Sequence, residues 1–292
     1  MIVCGFNKNL QLNERSTGKN SSNFPIVFPP LKSQLDISKL WSYSVCLRSS
    51  IWITSDGRAY AVGDNQNFQI SGSLPKKAIE KSTEIIIKDD QGHQCKFISA
   101  LCDGLFSLYL ISPTNGSQKS QIAYVFKDKN NGIPLFLNLG DRNPVRLFGC
   151  FEKAAAIDSE GSIFIITDSI FQSPSKALQP FSLPNGEKAH FVTLCKESIK
   201  VISTSYKAYE SPLQKNGPID QLSLTEIPEF IGKKIVHVTS FSNHSLAVNS
   251  EGLVFGRGSN EYGQLCFSKD KKNVEKFTEI PALKKFKISA AY

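Results

Sequence analysis

One octapeptide template recurs three times along this chain, and it limits the fold more than any other feature. The template is Gly-x-Asn-x-x-x-Gln-[Leu/Ile], found at 5–12, 63–70 and 258–265. A second signal precedes two copies by a constant step. Asp56-Gly57 stands six residues before Gly63, and Glu251-Gly252 stands six before Gly258. Similar pairs occur at Asn115-Gly116 and Glu160-Gly161, and Thr-Glu-Ile-Pro appears twice, ending at Pro228 and Pro281. The resulting period of roughly 45–60 residues is in the range of propeller blades, where one supersecondary unit is built several times over.

Local chemistry identifies the unit. Ile51–Thr54 and Ala59–Val62 flank Asp56-Gly57, and Ser245–Asn249 and Leu253–Phe255 flank Glu251-Gly252. Ala154–Ile157 and Ile163–Ile166 flank Glu160-Gly161 in the same way. β-rich runs around such a pair predict an antiparallel hairpin closed by a type I′ turn. Strands leading into each unit are expected at 36–45, 96–101, 145–149, 190–194, 234–240 and 287–292. The unit around 194–209 has no such pair, and Tyr206 stands where its glycine is expected. No long amphipathic helix is found; at most a short turn or helix follows Pro75, over Lys76–Lys81.

Composition excludes several classes. The 292 residues are 40% hydrophobic and carry a net charge of +8, which suits a folded chain with a sizeable core. The basic excess permits nucleic acid or acidic protein partners and demands neither. Seven cysteines, an odd number without a C-x-x-C, read as reduced thiols. There is no basic stretch followed by an apolar run at the start, and no segment approaches the ~18–20 apolar residues of a membrane helix. The expectation is a cytoplasmic or nuclear protein without membrane insertion.

Residues 240–265 resemble the repeat of the regulator of chromosome condensation family, which reads roughly G-x-x-H-S-L-A-L-x-x-D-G-x-V, then G-x-N-x-x-G-Q-L-G. Residues 46–70 match the turn and the asparagine loop, and 1–12 match only the latter. The resemblance implies an all-β fold, a β-propeller of four-stranded antiparallel blades, with about six blades present as part of a seven-bladed ring. It departs from the pattern at several places. The family histidine is present only as His244, with Ser49, Lys153 and Ser198 elsewhere. The family glycine ten residues before the turn acid is Phe241, Cys46 and Cys150, with Cys102 and Cys195 near the same place by spacing. Such cysteines read as small apolar residues packed in each blade. Lys287–Tyr292 resembles the start of a unit, Lys96–Cys102. The expectation is one propeller domain over 1–292, incomplete at its C-terminus, or a smaller ring closed by Ile2–Gly5.

No catalytic motif survives inspection, so no enzyme activity, cofactor or metal site is expected. Gly5, Gly57, Gly63, Gly116, Gly161, Gly252, Gly258 and Gly263 read as turn and close-packing positions. Asn65 and Asn260 read as loop caps. Asp64, Asn65, Gln66, Arg257, Asn260, Glu261 and Tyr262 are the expected exposed contact residues. The family's exchange factors use a β-wedge, and Asp89, Asp90, Gln91 and Gly92 form the centre of a hairpin that could serve as one. The lysines between Lys269 and Lys287 read as a solvated loop, since acids interrupt them. The sequence thus points to a non-catalytic protein–protein interaction module. The alternatives are a guanine-nucleotide exchange factor for a small GTPase, and a chromatin- or DNA-associated protein.

Overall fold

The computed structural model describes residues 2–6, 21–27, 39–46, 49–89, 91–103, 106–113, 119–126, 130–150, 153–167, 177–195, 197–213, 222–268 and 270–291. The chain divides into two compact units, 1–147 with 168–178, and 148–167 with 179–292. In the first unit β1 (Ile2–Phe6) pairs with β2 (Ser21–Val27). Two four-stranded sheets follow. One runs β3 (Leu40–Val45), β4 (Ser49–Thr54), β5 (Ala59–Gly63), β6 (Ile79–Ile85). The other runs β7 (Lys96–Cys102), β8 (Phe106–Ser112), β9 (Gln121–Phe126), β10 (Leu135–Phe136).

The second unit holds most of a three-stranded sheet, β11 (Pro144–Cys150), β12 (Lys153–Asp158) and β13 (Ile163–Ile166). Two four-stranded sheets complete it. These are β14 (Ala189–Leu194), β15 (Ser198–Ser203), β16 (Ala208–Pro212), β17 (Thr225–Glu226), and β18 (Ile235–Phe241), β19 (His244–Asn249), β20 (Val254–Ser259), β21 (Asn273–Glu279). Every four-stranded sheet is an antiparallel meander in chain order, the form of a propeller blade. Among the described residues there is no α-helix, and no helix is long and apolar enough to cross a membrane. Lys76–Lys81 forms no helix: Ile79 already enters β6.

A strand covered on both faces is buried residue after residue rather than in alternation. β4 and residues 106–111 of β8 are buried along their length. One core gathers Ile51, Ile53, Ile85, Phe97 and Tyr109 in the first unit. In the second, Ile157, Ile165, Val192 and Val201 form one core, and Phe230, Ile235, Phe255 and Phe277 another.

The expected type I′ turns are corrected. A type I′ turn needs positive φ at both central residues, but Gly57 alone in its turn has it, at 84°. Gly57 N–H donates to Thr54 O at 2.9 Å, and Thr54 N–H donates to Arg58 O at 2.9 Å. This is a three-residue loop, a type I turn followed by a left-handed residue. The same bonds close Asp158–Ser162, Ser203–Lys207 and Asn249–Leu253. Tyr206 occupies the glycine position with φ 67°, beside 85° at Gly161 and Gly252. Gly116 lies outside the described residues.

The turn residue also ties each unit to the next strand. Phe97, Ala189, Ile235 and Ile288 donate their N–H groups to the carbonyls of Gly57, Gly161, Tyr206 and Gly252, at 2.8, 3.0, 2.9 and 3.2 Å. A Cβ on Gly161 would lie 2.6 Å from Lys188 Cβ, so the close approach itself calls for glycine. The expected leading strands appear as β3, β7, β11, β14 and β18, except that Lys287–Ala291 forms no strand; it keeps this hydrogen bond, and Ile288 and Ala291 pack against Val248, Val254 and Ile280. Asp36–Ser38 and Tyr292 lie outside the described residues.

Candidate interaction loops

The repeated template builds its loop around the asparagine. In the first unit, Asn65 Oδ1 accepts the N–H groups of Ile70 and Ser71 at 3.0 and 3.3 Å. Its Nδ2 donates to the carbonyls of Ser71 and Pro75 at 3.0 and 3.1 Å. Gln69 Oε1 accepts Asn67 N–H at 3.0 Å. Ile70 is fully buried, and its carbonyl accepts the Tyr109 hydroxyl at 2.7 Å. Burial raises the Tyr109 phenol above its ordinary range, so it stays a donor.

The loop after β20 repeats this arrangement in the second unit. Asn260 Oδ1 accepts Leu265 N–H at 3.0 Å, and its Nδ2 donates to Lys271 O at 2.8 Å. Gln264 Oε1 accepts Tyr262 N–H at 2.9 Å. The glycine of the family pattern is present as Gly263, φ 76°; in the first loop Phe68 takes the same backbone at 56°.

These contacts correct part of the expected exposed set. Asp64, Asn65 and Asn260 are 6%, 0% and 1% exposed. Asp64 Oδ1 is occupied by Gln66 N–H at 2.9 Å. Loop closure, not a partner, uses these polar atoms. Arg257 is half-buried, ion-paired with Glu210 at 2.9 Å, with its guanidinium over the Phe277 ring. Gln66, Glu261 and Tyr262 are exposed, Tyr262 at 90%. Gly5 lies in β1; the rest of the first template copy, Asn7–Leu12, is outside the described residues.

Residues 87–95 form a short hairpin between β6 and β7. Cys95 N–H donates to Ile87 O at 2.8 Å, and Asp89 N–H to His93 O at 2.9 Å. Asp89 Oδ1 accepts the N–H groups of Gln91 and His93 at 3.0 and 2.9 Å, and Gly92 has φ 84°. Ile87 and Cys95 are buried at its base, while Gln91, Gly92 and His93 are exposed. Asp90 lies outside the described residues.

Two features were not singled out from the sequence. First, the residue opening each turn receives the backbone with its side chain: Asp158 Oδ1 accepts Ser162 N–H at 2.7 Å, and Asn249 Oδ1 accepts Leu253 N–H at 2.9 Å. Its constant place three residues before the turn glycine was the available signal. Second, Lys200 is 2% exposed. It lies across from Glu210 in the β15–β16 pair, and its ammonium donates to Ser198 Oγ at 2.8 Å. Desolvation lowers its pKa below the ordinary 10.5. The cysteine spacing is also refined. Cys46 and Cys195 are equivalent, each donating its N–H to the serine carbonyl three residues on, at 2.9 Å. Cys102 sits one residue earlier, because Asp103 makes the matching bond to Phe106.

Residues 235–264, from β18 to the exposed loop, match the Regulator of chromosome condensation (RCC1) repeat. The chain carries an RCC1 repeat. Two solved structures are similar in fold over nearly the whole chain. Human WBSCR16 superposes with a TM-score of 0.71 at 14% identity, over 96% of this chain and 76% of that one. Prp20p from Saccharomyces cerevisiae superposes with a TM-score of 0.72 at 14% identity, over 99% of this chain and 76% of that one. The latter structure is described with its binding properties to Gsp1p and histones. No curated protein matches this sequence. At such identity the likeness is one of fold: an all-β propeller of RCC1 type, built of four-stranded antiparallel blades.

Proposed function

We propose that this chain is a non-catalytic protein–protein interaction module, cytoplasmic or nuclear, and that its loop tips make the contacts. The carrying observation is Tyr262. Its side chain is 90% exposed, on a loop whose asparagine and glutamine hold the backbone by hydrogen bonds. An aromatic side chain held on a pre-ordered loop loses little entropy on binding, and such residues dominate interfaces. A photo-crosslinking residue at position 262 should trap discrete protein adducts in a cell extract, and Tyr262→Ala should weaken capture of the same partners. Absence of adducts, or capture unchanged by Tyr262→Ala, would count against the reading.

A second reading is nucleotide exchange on a small GTPase. Hairpin 87–95 supports it, with a buried base and an exposed tip, as does the likeness to a structure described as binding Gsp1p. Exchange needs no nucleophile, only a surface that stabilises the nucleotide-free GTPase. The chain should then accelerate nucleotide release from a candidate GTPase, and deletion of Asp89–Gly92 should abolish the acceleration. No acceleration would reject this reading.

A further inference from the structure

Two cysteine thiols from neighbouring blades of the first unit converge on one serine. Cys46 directly follows β3, and Cys102 ends β7. Cys46 Sγ lies 3.3 Å from Ser49 Oγ. Cys102 Sγ donates to the carbonyl oxygen of the same Ser49 at 3.6 Å. A second serine fixes Cys102 from the other side: Ser44 Oγ accepts its backbone N–H at 3.1 Å and lies 3.6 Å from its sulfur. The hydrogen bond with the Cys46 thiol, reinforced by burial, holds the Cys102 thiol protonated well above the usual range. Both cysteines are partly exposed, whereas Cys95 and Cys195 are 2% and 7% exposed.

We propose that Cys46 and Cys102 form a dithiol modification site, which a peroxide converts into a disulfide between the two blades. Cys46, as its thiolate, attacks one peroxide oxygen; the O–O bond breaks, Cys46 becomes a sulfenic acid, and the other oxygen leaves as water after taking up a proton. Cys102 sulfur then attacks the Cys46 sulfur. The S–O bond breaks, the Cys102 proton leaves with the departing hydroxyl as a second water, and the S–S bond forms. The two thiols give up two electrons in all, and one peroxide takes them. Joining Cys46 to Cys102 constrains the unfolded chain, so the oxidised form should melt at a higher temperature.

The test uses the folded chain and hydrogen peroxide. After treatment with a few equivalents, free thiols are alkylated and the protein is digested without reductant. The expected product is a cross-linked peptide pair containing Cys46 and Cys102, both lost together from the alkylated pool and both recovered after dithiothreitol. Cys102→Ser should accumulate a dimedone-reactive sulfenic acid at Cys46, whereas Cys46→Ser should leave Cys102 reduced. The dithiol reagent phenylarsine oxide gives an independent readout: the native chain should bind it at this site, and either serine variant should lose that binding. Melting curves of the serine variants establish that they are folded. Cys46 and Cys102 remaining fully alkylatable at a dose that oxidises Cys266 would overturn the proposal. So would a Cys46 bridge to a different cysteine, or arsenical binding unchanged in both variants.

Discussion

At the scale of single residues, Asn260 shows why its template recurs. It satisfies one N–H and two carbonyl groups that loop closure would otherwise leave unpaired. Removing a buried side chain of this kind costs the desolvation of every partner it abandons. Asn260→Ala should therefore destabilise the fold by about 3 kcal/mol in urea denaturation. Tyr262→Ala, two residues away, should stay within about 0.5 kcal/mol of the native chain. Loop capping by asparagine was readable from the residue type and spacing, but its burial was not, since burial depends on the chain that closes over it from Pro75 or Lys271. Tyr206 offers a converse case. A tyrosine in left-handed backbone costs roughly 1–2 kcal/mol, which the extra freedom of glycine in the unfolded chain partly offsets. Tyr206→Gly should raise stability by about 0.5–1 kcal/mol, measured by thermal or urea unfolding.

At the scale of elements, the hairpins were legible because β-rich runs flank X-Gly pairs. Their turn type was not, because such a pair fits a three-residue loop with a bulge as well as a two-residue one. The outer strands were legible only in part: β10 and β17 are two residues each and carry little pattern. β15 misleads in a different way. Ile199, Val201 and the intervening lysine read as an alternation with Lys200 in solvent, but a second strand is covered on both faces, and Lys200 is buried across from Glu210. Arg257 already pairs with that carboxylate, so the ammonium is a second cation beside one anion. Lys200→Met should be neutral or stabilising by about 1 kcal/mol near neutral pH. The pH dependence has a definite sign. The folded pKa lies below 10.5, so between the two values the unfolded chain binds more protons and the native chain gains stability as pH rises. Chemical denaturation across that window should show the advantage of Lys200→Met shrinking.

At the scale of the whole molecule, the charge of +8 sets a limit on the chromatin reading. Binding through phosphate contacts must weaken steeply with salt, by about 1,000-fold or more between 50 and 200 mM for an extensive contact. DNA retention by this chain should disappear over that range in a fluorescence-anisotropy titration, whereas capture of a protein partner through Tyr262 should persist. The repeat order was legible because a periodic fold writes its period into the sequence; the degenerate units were not, because what defines them is main-chain geometry. The bond from each turn carbonyl to the next strand shows the consequence. Phe97, Ala189, Ile235 and Ile288 share no more than an apolar side chain, and Tyr206 does what three glycines do. An architecture latched by atoms that every residue possesses leaves its lineage free to rewrite nearly all the letters. Distant kin of this chain should thus be sought by the rhythm of their turns, with little weight on shared identities.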